Sequence, residues 1–253
     1  MSEERKMKLE NIIAKRKNKT VYRDGDRCYK VFDETYSKAD ILNEALNQAR
    51  VEETGLNIPK IREITMIEGK WAIITDYIEG KTLSDIMRAD PENLDDYLER
   101  FVDIQLDVQG RSCPMLRTLK DKMNRKICET DFDATTRYDL HMRLEAMPKH
   151  AKLCHGDFNP SNIIITENGT PYVLDWSHAT QGNASADAAR TYLLFRLSGQ
   201  IDVAERYMSL FCEKTGTAET YVRKWLPIVA ASQSVKGIES EREFLRGWVN
   251  TYE

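Results

Sequence analysis

Residues 153–176 read LCHGDFNPSNIIITENGTPYVLDW. This stretch contains Asn168-Gly169, a dipeptide typical of a tight β-hairpin, because Asn and Gly tolerate the positive φ that a type I′ turn needs at both central positions. A hairpin centred on this dipeptide predicts that Asn162 and Asp175 face each other across the two strands. Opposed Cα atoms at such a position, outside the hydrogen-bonded pairs, lie about 4.5 Å apart. Two oxygen ligands at that spacing can share one cation.

A second carboxylate precedes the hairpin. Asp157 lies five residues before Asn162, in the segment that leads into the first strand. A loop at that place can aim a carboxylate at a group beside the metal. The alternative interpretation is an ordinary hairpin whose ends happen to be polar.

The pattern HGDxxxxN, followed by a hairpin and Leu-Asp-Trp, resembles the catalytic core of the aminoglycoside phosphotransferase and choline kinase family, relatives of protein kinases. The resemblance implies an α+β, protein-kinase-like fold with two lobes. It implies a small antiparallel-sheet lobe with one helix, residues 1–78, which binds the nucleotide. A larger, mainly helical lobe, residues 79–253, would carry catalytic and substrate-binding residues.

The resemblance also implies a reaction. The γ-phosphate of ATP or GTP would move to a hydroxyl group of a small molecule, such as an aminoglycoside, choline or another amino alcohol. Asp157 would accept or orient the hydroxyl proton, and Asn162 and Asp175 would hold Mg²⁺. Lys30, in the segment CYKVF, would bind the α- and β-phosphates, with Glu44 as its partner.

Further nucleotide contacts follow from the same resemblance. Backbone groups of the segment from Asp76 to Ile78 would meet the adenine edge, and Thr20 and Lys19 could meet phosphate. Glu52 is an alternative to Glu44 as the partner of Lys30. The segment 14–20, AKRKNKT, contains no glycine, in contrast to the glycine-rich phosphate loop of protein kinases.

Hydrophobic periodicity predicts a sheet-rich first part and a helical second part. The strands are expected near residues 10–20, 20–23, 27–32, 61–66 and 71–74, besides the hairpin. The helices are expected near residues 37–54, 91–109, 116–127, 138–147, 187–197, 200–214, 218–234 and 238–250. At the start of the helix over 187–197, Asp187 is expected to be a helix cap or loop anchor. His155, before Asp157, is expected to brace its loop by hydrogen bonding.

Composition excludes several classes of protein. Of 253 residues, 41% are hydrophobic and 31% charged, which is typical of a soluble globular protein, and the net charge of −4 argues against a dedicated nucleic-acid binder. No apolar run reaches the roughly 18 residues that a membrane span needs. The N-terminus lacks the apolar core of a secretory signal, and five scattered cysteines favour reduced thiols. We therefore expect a cytoplasmic monomer or weak dimer without nucleic-acid or membrane partners.

Three other functions remain open at this stage. A two-metal phosphatase would need several histidines after His155, and only His178 follows it. A binding protein could keep the kinase fold and lose turnover. A protein kinase is the third, although Asn159 occupies the position where protein Ser/Thr kinases usually place a lysine.

The acidic residues Glu239, Glu241 and Glu243 could meet a cationic substrate, but a solvated helix face is the simpler interpretation.

Overall fold

The computed structural model describes residues 9–16 and 18–250. Residues 1–8, with the predicted start of the first lobe, and Lys17 of the glycine-free segment lie outside this description. The chain divides into two compact units: one holds the described residues up to Thr82 together with 162–177, and the other holds 83–161 and the residues from His178 onward. The lobe boundary after residue 78 remains a prediction.

The first unit contains a five-stranded antiparallel sheet of order β1-β2-β3-β5-β4. Its strands are β1 (Ile12–Arg16), β2 (Lys19–Asp24), β3 (Arg27–Phe32), β4 (Ile61–Ile67) and β5 (Lys70–Asp76). The predicted single helix of this part is α1, Lys38–Glu52, and its N-terminus is capped by the Ser37 side chain, which accepts a hydrogen bond from Asp40 N. Phe32, Ile41, Ala45 and Ile73 form a buried cluster between helix and sheet.

The hairpin belongs to a second, three-stranded sheet of the same unit, whose strands are β6 (Lys81–Thr82), β8 (Ile163–Ile165) and β9 (Pro171–Val173). The predicted hairpin exists, but its predicted register is wrong by one residue: Ile163 pairs with Val173, and Leu174 N donates to Asn162 O at 2.8 Å. Leu174, and not Asp175, therefore lies opposite Asn162.

The turn chemistry explains the shift. Only Gly169 of the expected pair has a positive φ, of 84°. Gly169 N donates to Thr166 O at 2.9 Å, and Thr166 N donates to Thr170 O at 3.1 Å, so three residues form the loop. The Asn168 side chain stabilises this longer loop by accepting from Thr170 N at 3.1 Å. A type I turn followed by a left-handed glycine is the usual three-residue hairpin, and it moves the register by one residue relative to a type I′ turn.

The second unit is mainly helical, as predicted. Its helices are α2 (Leu83–Ala89), α3 (Leu94–Gln109), α4 (Leu119–Cys128), α5 (Ala134–Ala146), α6 (Ala184–Leu197), α7 (Ile201–Thr215), α8 (Glu219–Arg223), α9 (Leu226–Ser234) and α10 (Arg242–Val249). A short antiparallel ladder joins β7 (Lys152–Cys154) to β10 (Thr180–Gly182). The helix expected over 218–234 is divided into α8 and α9, because Pro227 lacks the N–H that a continuous helix would use.

Among the described residues, no helix combines the length and the apolar character that crossing a bilayer requires.

Candidate active site

Lys30 and Glu44 form an ion pair inside the first unit. Lys30 Nζ lies 2.6 Å from Glu44 Oε1, and Glu44 on α1 is 3% exposed. Glu52, the alternative partner, instead accepts a hydrogen bond from Ile61 N at 2.7 Å. Burial works to lower the pKa of Lys30, but the carboxylates of Asp175 and Glu44 outweigh it and raise the pKa above its ordinary value. Lys30 therefore stays charged throughout the physiological pH range.

Asp175 joins this ion pair from the end of the hairpin. Its Oδ1 lies 3.4 Å from Lys30 Nζ, and its Oδ2 lies 3.3 Å from Lys19 Nζ. Asp175 has a φ of 60°, a conformation that is uncommon outside glycine and turns the residue out of the β9 strand direction. Such backbone outliers concentrate at functional sites. Two ammonium groups thus meet one carboxylate in the first unit, and one of them belongs to Lys19, which the sequence predicted, with Thr20, to meet phosphate.

Asn162 lies at the same end of the hairpin as Asp175. Its carbonyl accepts the backbone hydrogen bond from Leu174, the residue immediately before Asp175. One amide oxygen and one carboxylate are hard oxygen donors that suit Mg²⁺, and Mg²⁺ in nucleotide sites is usually held by one or two protein carboxyl or amide groups together with phosphate oxygens. No cluster of three or more His, Cys, Asp or Glu ligands occurs in the described part of the chain. The donor set therefore fits a metal that arrives with a nucleotide better than an all-protein metal cage.

The predicted adenine-binding segment has few free backbone groups. Asp76 N donates to Lys60 O at 3.0 Å, and Tyr77 N donates to Asp26 O at 2.8 Å. Ile78 is the remaining donor of the predicted three residues. Thr20 lies within β2, where it pairs with Val31 of β3. The nucleotide contacts of Asp76, Ile78 and Thr20 stay predictions.

The HGD loop of the second unit is held by a buried carboxylate. Asp187 is 2% exposed and accepts hydrogen bonds from Gly156 N at 2.7 Å and from His155 N at 3.2 Å. Asp187 is therefore a loop anchor, and Asn183 caps helix α6. The fully buried His155 accepts a hydrogen bond from Asp157 N at 3.2 Å through Nδ1. This brace fixes the backbone that carries the Asp157 side chain.

The Asp157 carboxylate meets a buried arginine that the sequence analysis did not identify. Arg190 Nη2 lies 3.5 Å from Asp157 Oδ1, and Arg190 is 7% exposed. Burial works to raise the pKa of Asp157, but Arg190, together with His178 and Lys236, outweighs burial and lowers the pKa below its usual range. Asp157 is therefore ionised at neutral pH and is a weak base.

Arg190 has its own support. Its Nη1 donates to Gln233 Oε1 at 2.6 Å, and Gln233 Nε2 donates to Glu241 Oε2 at 2.7 Å. A sequence signal for Arg190 did exist, because it lies three residues after Asp187 on α6, and residues at that spacing share a helix face. Gln233 and Glu241 come from distant segments and carried no such signal.

Comparison with known proteins gives a family and a fold. The sequence model of the phosphotransferase enzyme family (APH) matches residues 9–223. A search of curated proteins found no match.

Solved structures of similar fold include an aminoglycoside phosphotransferase and choline kinases. The aminoglycoside phosphotransferase APH(4)-Ia, as a thermostable mutant in ternary complex with AMP-PNP and hygromycin B, superposes with a TM-score of 0.69 at 16% identity, covering 94% of this chain and 90% of that one. The choline kinase LicA from Streptococcus pneumoniae gives 0.65 at 13% identity, covering 97% and 94%. A choline/ethanolamine kinase family protein from Mesorhizobium loti gives 0.62 at 16% identity, covering 96% and 84%.

Proposed function

The chain belongs to the phosphotransferase enzyme family, and we propose that it transfers the γ-phosphate of ATP to a hydroxyl group of a small molecule. The observation that carries this proposal is the cluster of Lys30, Glu44 and Asp175, in which a lysine fixed by a buried glutamate meets the predicted metal ligand at 3.4 Å. The complex of the similar APH(4)-Ia with AMP-PNP and hygromycin B supports a nucleotide and a small-molecule acceptor.

The first unit supplies the groups that face the nucleotide. Lys30 would hold the α- and β-phosphates, because Glu44 fixes the position of its ammonium group. Asn162 and Asp175 would hold Mg²⁺, which would neutralise phosphate charge during the transfer. The Asp76 carbonyl and the Ile78 N–H would meet the adenine or guanine edge, and Thr20 would meet phosphate.

The second unit supplies the group that faces the acceptor. In the transfer, a bond forms between the acceptor oxygen and the γ-phosphorus, and the bond from that phosphorus to the bridging oxygen of ADP breaks. Asp157 would receive the proton of the hydroxyl. Because the pKa of Asp157 is lowered, its chief task would be to orient the hydroxyl, with the proton leaving late in the reaction.

A small-molecule acceptor is favoured over a protein acceptor. Asn159 takes the place of the usual lysine of protein Ser/Thr kinases, and its amide donates to Asp157 O at 2.9 Å. The Asn159 side chain thereby stabilises the backbone of the loop that carries Asp157. We place the enzyme in the cytoplasm as a monomer or weak dimer, with neither nucleic acid nor membrane as partner.

A panel of hydroxyl compounds tests this function by acceptor-dependent release of ADP. Aminoglycosides, choline, other amino alcohols, sugars and nucleosides are incubated separately with ATP and Mg²⁺. We expect at least one class to increase ADP release over the rate without acceptor. ADP release that no acceptor changes, with normal nucleotide binding, would instead support a kinase-fold binding protein.

A further inference from the structure

Three cationic side chains converge on the HGD loop from three elements of the second unit. Arg190 of α6 contacts Asp157 at 3.5 Å. Lys122 of α4 donates to His178 O at 2.8 Å, and its Nζ would lie 3.2 Å from a Cβ placed on Gly156, so it directly flanks the loop. Lys236, just after α9, donates its backbone N–H to Gln233 O at 3.0 Å, and Gln233 is the residue whose side chain accepts from Arg190 at 2.6 Å.

Two of these cations lack a carboxylate partner. Among the described residues, no carboxylate oxygen lies within 4.0 Å of the ammonium group of Lys122 or Lys236. The neighbours of Lys122 on α4 differ in this respect, because Lys120 contacts Glu145 at 2.8 Å and Lys126 contacts Glu129 at 2.7 Å.

The nearby acidic groups are already engaged. Asp187 is buried and accepts two backbone N–H groups of the HGD loop. Asp157 is neutralised in part by Arg190, and Glu241 accepts a hydrogen bond from Gln233. Glu241 attracts Lys236 only at longer range. Within the described part of the chain, the surroundings of the loop thus hold two ammonium groups without a close counter-ion.

In this arrangement the positive charge of Arg190 repels the ammonium groups of Lys122 and Lys236. Burial, followed by Arg190, lowers the pKa of Lys122 to about 7. Lys236 is exposed as a whole, but desolvation of its ammonium group, followed by Arg190, likewise lowers its pKa. Bringing like charges together costs free energy, and an anion bound among them would relieve that cost.

From this geometry we propose that the hydroxyl acceptor carries an anionic group, a carboxylate or a phosphate, which Lys122 and Lys236 bind. The inference rests on the proposed phosphotransferase function and narrows its acceptor class. A polycationic aminoglycoside or a quaternary amine would meet like charge beside Asp157, and unpaired cations of this kind discriminate against such partners. The reacting groups are unchanged: the hydroxyl attacks, and the anionic group fixes its orientation.

Matched acceptors of different charge test the proposal. Glycerate and glycerol 3-phosphate are compared with glycerol and with choline for acceptor-dependent ADP release at fixed MgATP. We expect the anionic compounds to give the higher kcat/KM. A preference for choline over both anionic compounds overturns the charge inference while leaving the phosphotransferase function in place.

A charge variant tests the residues. Lys236→Glu should raise the KM for the anionic acceptor by about tenfold or more, as expected for loss of one charge-assisted hydrogen bond, with little change in the KM for MgATP. Lys224→Glu introduces the same change of charge at an exposed lysine of the same unit and serves as the control. Equal acceptor KM values for the two variants contradict the assignment.

A binding measurement keeps the proposal testable if no acceptor of the panel reacts. Inorganic phosphate is titrated into the protein with ADP and Mg²⁺ present, so that the nucleotide site is filled. We expect the melting temperature to rise for the wild type and for Lys224→Glu, and to rise much less for the double variant Lys122→Met, Lys236→Met. Equal shifts in all three proteins overturn the anion site. If phosphate raises the melting temperature of the wild type and of Lys224→Glu but not of the double variant, and no acceptor is phosphorylated, the anion site is retained. That result counts against the phosphotransferase function alone.

Discussion

At the scale of single residues, the Asp157 carboxylate combines partial exposure with a buried cationic neighbour. Its side chain is 27% exposed, so an acceptor can reach it, and Arg190 at 8% side-chain exposure holds it ionised. Its loop is fixed by two hydrogen bonds, one from Gly156 N to Asp187 and one from Asp157 N to His155. A carboxylate held this firmly can select one orientation of a hydroxyl group.

Replacing Asp157 by Asn tests its role. The Asp157→Asn protein should lose transfer by about 10²–10⁴-fold, the range typical of general acid–base groups, because the amide cannot accept the proton. The affinity for MgATP, measured by thermal shift, should stay near the wild-type value. Transfer at the wild-type rate would remove Asp157 from this role.

Arg190 is expected to set the acid limit of the proposed transfer. The pKa of Asp157 is lowered by Arg190, so the active, ionised form persists to low pH in the wild type. Arg190→Gln removes this stabilisation, raises the pKa of Asp157 and should move the acid limb of the kcat/KM profile to higher pH. Arg190→Lys retains the charge and should move it less. Superimposable acid limbs in all three proteins would show that Asp157 does not govern this limb.

At the scale of elements, local sequence signals predicted the kinds of structure better than their registers. The dipeptide Asn168-Gly169 correctly predicted a hairpin, but whether two or three residues form its loop depends on competing bonds of the Asn168 side chain. Similarly, Lys30 and Glu44 were paired through the resemblance, whereas no local signal placed Lys19 at 3.3 Å from Asp175. Contacts between segments distant in sequence depend on packing, which periodicity does not encode.

Gly80 offers a test of the packing of β6 against β8. A Cβ at Gly80 would collide with Ile165 O and would lie 2.7 Å from Ile164 Cγ2. Gly80→Ala should therefore lower the free energy of unfolding by about 1–3 kcal/mol, the usual cost of overpacking. Gly247→Ala is the control, because no described residue outside its own helix lies within 4 Å of its Cβ position and alanine favours the helix. Equal melting temperatures for the two variants would refute the close approach.

At the scale of the whole molecule, the proposed chemistry is divided along the chain. The residues assigned to the nucleotide, Lys30, Glu44, Asn162 and Asp175, belong to the first unit, and Asp157 and its cationic neighbours belong to the second. The composition predicted a globular protein, and the resemblance predicted its fold class and a phosphotransferase activity. The charge of the acceptor could not be predicted in this way, because Lys122, Arg190 and Lys236 come from three separate helical segments.

Asp175→Ala tests the nucleotide side. Ligand binding raises stability by about 2.7 kcal/mol when the ligand is at 100 times its Kd, so MgATP should raise the melting temperature of the wild type. The part of this shift that depends on Mg²⁺ should disappear in Asp175→Ala, because the variant lacks the carboxylate ligand. Titration with and without a chelator separates the two parts. An unchanged Mg²⁺-dependent shift would exclude Asp175 as a ligand.

Following a labelled γ-phosphate is the most direct test of phosphotransferase activity. ATP labelled at the γ-position is incubated with Mg²⁺, the acceptor panel and either the wild type or Asp157→Asn. We predict that the wild type places the label on an organic hydroxyl compound, with one ADP formed for each phosphoester, and that the variant does not. Label that remains in ATP, or that appears only as inorganic phosphate with every acceptor, would contradict the account.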